Sequence, residues 1–202
     1  MSFIFQDFKI FMIKIDQIDL AFLHLAFSNN GKFDEQDLVK SELAYLGVGR
    51  TLDRIANLKE RNLIELDGSS FRATGLAQEL LWNKNESLET RILKLLQIKS
   101  FEESQIIRYL IDSPDLIRQK IEEARKKGLL IFTTIKKDDK VIMVCELTAE
   151  GNEFIRDQLL DIKSQLQKTL ESMSKKVQDT KADDEKIKSI LQKIREIATE
   201  LD

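Results

Sequence analysis

Apolar positions along the chain keep two different periods, and the places where the period changes mark its elements. From Ile15 to Phe27 the residues Ile15, Ile18, Leu20, Ala21, Phe22, Leu25 and Ala26 cover most of a helical surface, which predicts a core helix. Ser28, Asn29, Asn30 and Gly31 supply a turn. A second helical stretch starts at Phe33 or Asp34 and runs to about Leu46, with Leu38, Leu43 and Leu46, and Val39 beside them, as its buried side. Gly47, Val48 and Gly49 break that pattern before Arg50 to Leu58 resume it, and the helix runs out at Lys59 to Asn62. Leu63 to Leu66 and Phe71 to Thr74 then read as a short hairpin around Asp67, Gly68, Ser69 and Ser70, followed by a helix from Gly75 to Trp82.

The same order returns further on. Helical spacing covers Leu88 to Ile98 and Glu102 to Ile111. A third helix opens at Ser113 as a candidate cap with Pro114 in its first turn, and Leu116, Ile117, Ile121 and Ala124 form its apolar face. It ends in Arg125, Lys126, Lys127 and Gly128, where cations meet the negative helix end and glycine suits the left-handed cap. Strand-like runs follow from Leu129 to Ile135 and Val141 to Leu147 around the polar tip Lys136 to Lys140, and Thr148 opens another helical pattern. Ile55, Leu58, Asn62, Leu63, Ile64 and Thr74 therefore stand where Ile121, Ala124, Gly128, Leu129, Leu130 and Thr148 stand in the second copy. Asparagine is the next-best residue to glycine for a left-handed cap.

Beyond residue 158 two apolar stripes mark a helical tail. One contains Phe154, Ile155, Leu159, Ile162, Leu166, Leu170, Met173 and Val177. The other, Ile187, Ile190, Ile194, Ile197 and Leu201, alternates steps of three and four as a coiled-coil seam does. The stretch between them is polar except for Ala182, so a helical hairpin, helped by Thr180 with Asp183 as a capping pair, and a flexible joint are both open. The expected layout is an extension at 1–14, domains at 15–84 and 85–158, and a tail at 159–202. Met12 is a second candidate start, which would make Met1 to Phe11 an upstream extension.

Leu46-Gly47-Val48 followed by Arg50-Thr51, then Ile55, Leu58, Asn62, Leu63 and Ile64, resembles the helix-turn-helix of MarR-, ArsR- and Lrp-type archaeal and bacterial regulators. Helix, glycine, hairpin and helix in the second copy resemble the latter half of a winged-helix domain. The resemblance implies a mainly α protein with small β-wings, an α+β chain of two consecutive winged-helix domains followed by a helical hairpin or coiled coil. The turn is shorter than those families use, Gly49 stands where serine is common, and Asn62 replaces glycine.

Composition narrows what such a chain can do. Its 202 residues have a net charge of -3 and 33% charged residues, so no basic coat drives nucleic-acid binding and any such contact must come from local patches. Lysines and arginines number 10 against 12 acidic residues in 1–84, 13 against 14 in 85–158, and 9 against 9 beyond. One cysteine, Cys145, rules out an intrachain disulfide and suits a reducing, cytoplasmic setting. Gln6, Asp7, Lys9 and Lys14 interrupt the apolar start, so neither a membrane span nor a secretory leader is expected. His24 lies in an apolar helix and reads as a packed or hydrogen-bonded ring; Cys145 reads as a small buried hydrophobe. No phosphate loop, nucleophile elbow or metal-spaced cluster stands out, so neither an enzyme nor a cofactor is expected.

The resemblance implies a cytoplasmic, nucleoid-associated DNA-binding protein, a transcription regulator. It nominates Arg50, Thr51, Arg54 and Asn57 to face bases and Lys59 and Arg61 to meet the backbone, with Arg118, Gln119 and the wing cations Lys136, Lys137 and Lys140 in the second copy. Double-stranded DNA is the expected ligand, and Ile187, Ile190, Ile194, Ile197 and Leu201 the expected homodimer seam. Asp53, Asp115, Glu122, Glu123, Asp67, Asp138 and Asp139 share those helices and wings and repel phosphate. They favour the rival class, a protein-binding scaffold similar to ESCRT-II subunits or the winged-helix accessory subunits of chromosome-condensing complexes. One basic face would mark the first class and an exposed apolar patch the second.

Overall fold

The computed structural model describes residues 13–137 and 139–158; the candidate dimer seam Ile187, Ile190, Ile194, Ile197 and Leu201 and the side chain of Lys137 lie outside them. Among the described residues the protein is mainly helical with two small antiparallel sheets, an α+β chain. Helix α1 spans Gln17–Ser28 and opens on a capping box in which Asp16 and Asp19 satisfy each other's backbone amides. Strand β1 (Lys32–Phe33) follows, then α2 (Glu35–Lys40) behind an Asp34–Asp37 box, a 3-10 turn at Ala44–Leu46, and α3 (Gly47–Glu60). Strands β2 (Ile64–Asp67) and β3 (Ser70–Ala73) and helix α4 (Gly75–Leu81) complete the first half. The second half runs α5 (Leu88–Ile98), α6 (Glu103–Leu110), α7 (Pro114–Lys126), β4 (Leu130–Lys137), β5 (Lys140–Leu147) and a helix at 149–158.

The two halves make the same hydrogen bonds at equivalent places. Asn62 and Gly128 end α3 and α7 at φ of 57° and 74°, and the next amides, of Leu63 and Leu129, reach back to Leu58 O and Ala124 O. Thr74 and Thr148 each donate Oγ1–H to the carbonyl of that left-handed residue, at 2.7 Å in both cases, and accept from the third residue of the following helix. Phe33 pairs with Phe71 of β3, and Phe101 forms the corresponding bridge to Cys145 of β5. The sheets are thus β1-β3-β2, and β4-β5 flanked by Phe101.

One hydrophobic core runs through both halves. Phe22, Leu23, Phe33, Leu58 and Leu63 belong to the same buried cluster as Ile92, Phe101, Ile106, Ile121 and Leu130. Within the first half Phe27 stacks on Trp82 with ring centroids 4.4 Å apart, and Trp82 Nε1 donates across to Tyr109 O of the second half at 2.8 Å. Arg91, 2% exposed, donates to Leu81 O, Leu110 O and Asp112, and so holds the ends of α4 and α6 together. The described residues up to Ile155 form one compact unit; a second begins at Arg156.

Several local expectations change. Helix α2 stops at Lys40 because Ser41 turns its hydroxyl onto Leu38 O and accepts the amide of Leu43, so the segment to Leu46 is not one helix. The turn before α3 is therefore 41–46, Gly47 opens the helix at φ 71°, and Val48 and Gly49 lie inside it. Val39 and Leu116 point outward, at 69% and 40% exposure. Ser113 precedes α7 without a side-chain capping bond. Lys136 and Lys140 are strand residues, because β4 and β5 extend until Lys137 pairs with Lys140. Gly151 lies so close to Leu129 O that any side chain there would collide with it.

Candidate interaction surface

Helix α3 turns Thr51, Ile55 and Leu58 toward the core, with Thr51 half-buried. At about 100° per residue, its outermost ridge then holds Gly49, Asp53, Ala56 and Glu60. One flank holds Arg50 and Asn57, the other Val48, Leu52 and Lys59. The ridge that would press deepest into any partner is acidic.

Most of the candidate reading cations are held by carboxylates of the same unit. Arg54 Nη1 lies 2.7 Å from Asp16 Oδ2 and 3.4 Å from Asp19 Oδ1. Arg61 reaches Asp19 Oδ2 at 2.8 Å and Lys14 O at 3.0 Å, which ties the end of α3 to the start of α1. Burial opposes ionisation of Asp16, yet the Asp19 amide and the Arg54 charge outweigh it and hold the carboxyl below its usual range. Arg118 is bound to Glu103 at 2.8 Å and Asp115 at 3.2 Å, and the Glu103 hydrogen bond is the largest cause holding its proton more tightly than usual. Gln119 donates to Glu123, Lys120 pairs with Glu123, Arg125 with Glu122, and Lys136 with Asp139. Arg50, Lys59 and Lys140 are exposed and have no ion-pair partner among the described residues. No hydrogen bond or ion pair among the described residues joins the first-unit candidates to those of the second.

Beside these cations the surface also carries exposed apolar side chains. Tyr45 on the 3-10 turn is 72% exposed, and Val48 and Leu52, one helical turn apart on α3, are 78% and 58% exposed. Sequence reasoning missed this group because Gly47-Val48-Gly49 was read as a turn; once the helix starts at Gly47, the four-residue step from Val48 to Leu52 sets them on one flank. On the second hairpin Ile131, Ile135, Val141 and Met143 are exposed as well. Beside Tyr45 lies a cleft of about 430 Å³ lined by Asp16, Gln17, Ile18, Glu42, Leu43 and Tyr109. Its Glu42 carboxylate is already bound to Arg108 at 2.9 Å and to the Tyr109 hydroxyl at 3.3 Å.

His24 and Cys145, read from the sequence as a packed ring and a small buried hydrophobe, are both held by their neighbours. His24 Nε2 sits 2.9 Å from Arg108 O and 3.2 Å from Ser28 Oγ, its ring edge-on to Tyr109. Burial lowers its pKa, and the neighbouring Arg108 charge adds to that against the carbonyl that favours the imidazolium. Cys145 is buried in β5, with its thiol pushed up to about 12 by burial. No three metal-ligating side chains cluster among the described residues, and none of their helices is long and apolar enough to cross a membrane.

Compared with protein-family models, curated proteins and solved structures, the chain matches none. Its reading therefore rests on its own geometry, that of an α+β protein with two small antiparallel sheets.

Proposed function

We propose that the chain is a tandem winged-helix protein whose ligand is another protein, docked on the apolar flank of α3. The order helix, short strand, helix, helix, hairpin, helix in each half supports the tandem reading. The observation that carries the choice of ligand is the state of the two helices that would read DNA. Arg54, Arg61, Arg118 and Gln119 are bound to carboxylates, while Tyr45, Val48 and Leu52 stand bare. A phosphate would have to displace those carboxylates, whereas an apolar partner gains by covering what is already exposed.

The test pairs two measurements on the full chain. Fluorescence anisotropy with mixed-sequence duplex DNA, from low to physiological salt, is expected to show no salt-steep binding. Capture of a partner from the source proteome is expected with the wild type and lost with Val48→Lys plus Leu52→Lys, a pair that leaves the core untouched. Salt-steep duplex binding that Arg50→Ala weakens would overturn this reading. It would establish the DNA-binding regulator instead, which Arg50, Lys59 and Lys140, exposed and without an ion-pair partner among the described residues, favour.

A further inference from the structure

The two hairpins end their sheets very differently. In the first half the outer strand β2 is four residues long and includes Glu65 and Asp67, a short and charged edge of the kind that prevents pairing with other chains. In the second half the outer strand β4 is eight residues long, Leu130–Lys137, and its first six residues, Leu-Ile-Phe-Thr-Thr-Ile, hold no charge, proline or glycine. Among the described residues no strand pairs with its outer side.

Which backbone groups face that side follows from the Phe101 bridge. Phe101 N donates to Cys145 O and Cys145 N to Phe101 O, at 3.2 and 2.8 Å, so Cys145 turns its amide and carbonyl away from β4. Cys145 lies opposite Phe132, which makes that pair a non-hydrogen-bonded one. By alternation, Ile131, Thr133 and Ile135 bond to β5, while Leu130, Phe132, Thr134 and Lys136 aim their N–H and C=O groups outward.

We infer that β4 pairs antiparallel with β4 of a second copy of this chain, on a two-fold axis through Thr133, to give one continuous four-stranded sheet. The alternation allows only registers in which outward residues oppose outward residues, and among those the one centred on Thr133 matches best. Phe132 and Leu130 then exchange backbone bonds with Thr134 and Lys136 of the copy. Ile131 lies opposite the copy's Ile135 on the face where both are exposed, at 46% and 44%. Lys136 lies opposite Leu130 of the copy, so no like charges are juxtaposed there. The inference is independent of what docks on α3, because it uses only the second hairpin.

The experiment is sedimentation of the full chain over a concentration series, with three variants. The wild type is expected to associate, and Thr134→Pro to halve its mass, since this proline deletes an outward amide that β5 does not use. Ile131→Lys with Ile135→Lys is expected to do the same by like-charge repulsion, and Ile131→Glu with Ile135→Lys to restore the wild-type mass. Thr133→Cys is expected to form an interchain disulfide on mild oxidation, while Cys145 stays buried. A wild type that remains monomeric, or one whose mass none of these substitutions changes and whose Thr133→Cys variant does not cross-link, overturns the inference.

Discussion

Trp82 Nε1 donates to Tyr109 O across 2.8 Å of protein interior, joining the last residue before the inter-repeat loop to the end of α6. Arg91 works at the same boundary. Its guanidinium reaches Leu81 O at 2.6 Å, Leu110 O at 3.0 Å and Asp112 Oδ2 at 3.1 Å. Replacing Arg91 with leucine leaves two helix-end carbonyls and a carboxylate without their donor, and about 3–5 kcal/mol of stability should be lost in urea unfolding. Arg91→Lys should recover little of it, because an ammonium cannot span three acceptors in a planar fork. Trp82→Phe keeps an aromatic ring against Phe27 but loses the hydrogen bond and part of the buried indole, at about 2 kcal/mol.

The threonines at the two equivalent caps offer a matched pair. Thr74→Val and Thr148→Val each remove one bond to a left-handed carbonyl and one from a helix amide, and each should cost about 1–2 kcal/mol. The left-handed residues themselves predict opposite signs. Asn62→Gly should stabilise by roughly 0.5–1 kcal/mol, and Gly128→Ala should destabilise by about 1 kcal/mol. A methyl group at Gly128 would meet no residue beyond its chain neighbours, so the cost there is conformational alone. Thermal or urea melts of the four variants check the set.

Stability should fall on mild acidification through His24. Its pKa in the folded chain is depressed below 6.5, chiefly by burial, so between the depressed value and 6.5 the unfolded chain binds the extra proton. The contribution is complete above pH 6.5 and is lost as pH drops from there toward the folded value. Unfolding midpoints measured across that window for the wild type and His24→Gln should converge at the acid end. A variant with the same slope as the wild type would show that another group governs it.

Cys145 should be inert while the chain is folded. A thiol pushed up to about 12 holds almost no thiolate at neutral or mildly alkaline pH, and its side chain is buried against Phe101 and Phe132. Alkylation under native conditions should follow global unfolding, and addition of urea should bring it to the rate of a free cysteine. Rapid labelling without denaturant would mean that β5 opens locally.

How much of this was legible beforehand depends on sequence distance. Ile117, Ile121, Ala124 and Gly128 lie within a few turns of one another, so periodicity and cap chemistry placed α7 and its end closely. Strand β1 escaped because two residues, Lys32 and Phe33, cannot show a period; their strand character comes from Phe71, far along the chain. The turn before α3 was misplaced because glycines usually break helices. Here the break is made by the Ser41 hydroxyl, and Gly49 is carried inside the helix. The candidate surface was less legible still. Arg54 and Arg61 are correct in type for a reading helix, but which arginine stays available depends on Asp19, more than thirty residues upstream.

The continuous core carries a consequence for how the chain can be taken apart. Cutting between 84 and 85 would give each half its full set of elements, yet would leave Trp82 without the Tyr109 carbonyl and Arg91 without that of Leu81. Each half would also present to water the aromatic and aliphatic surface that the other now covers. The repeat is therefore a unit of architecture without being a unit of stability. Residues 13–155 should unfold in one cooperative transition, and neither half is expected to fold alone while that boundary remains.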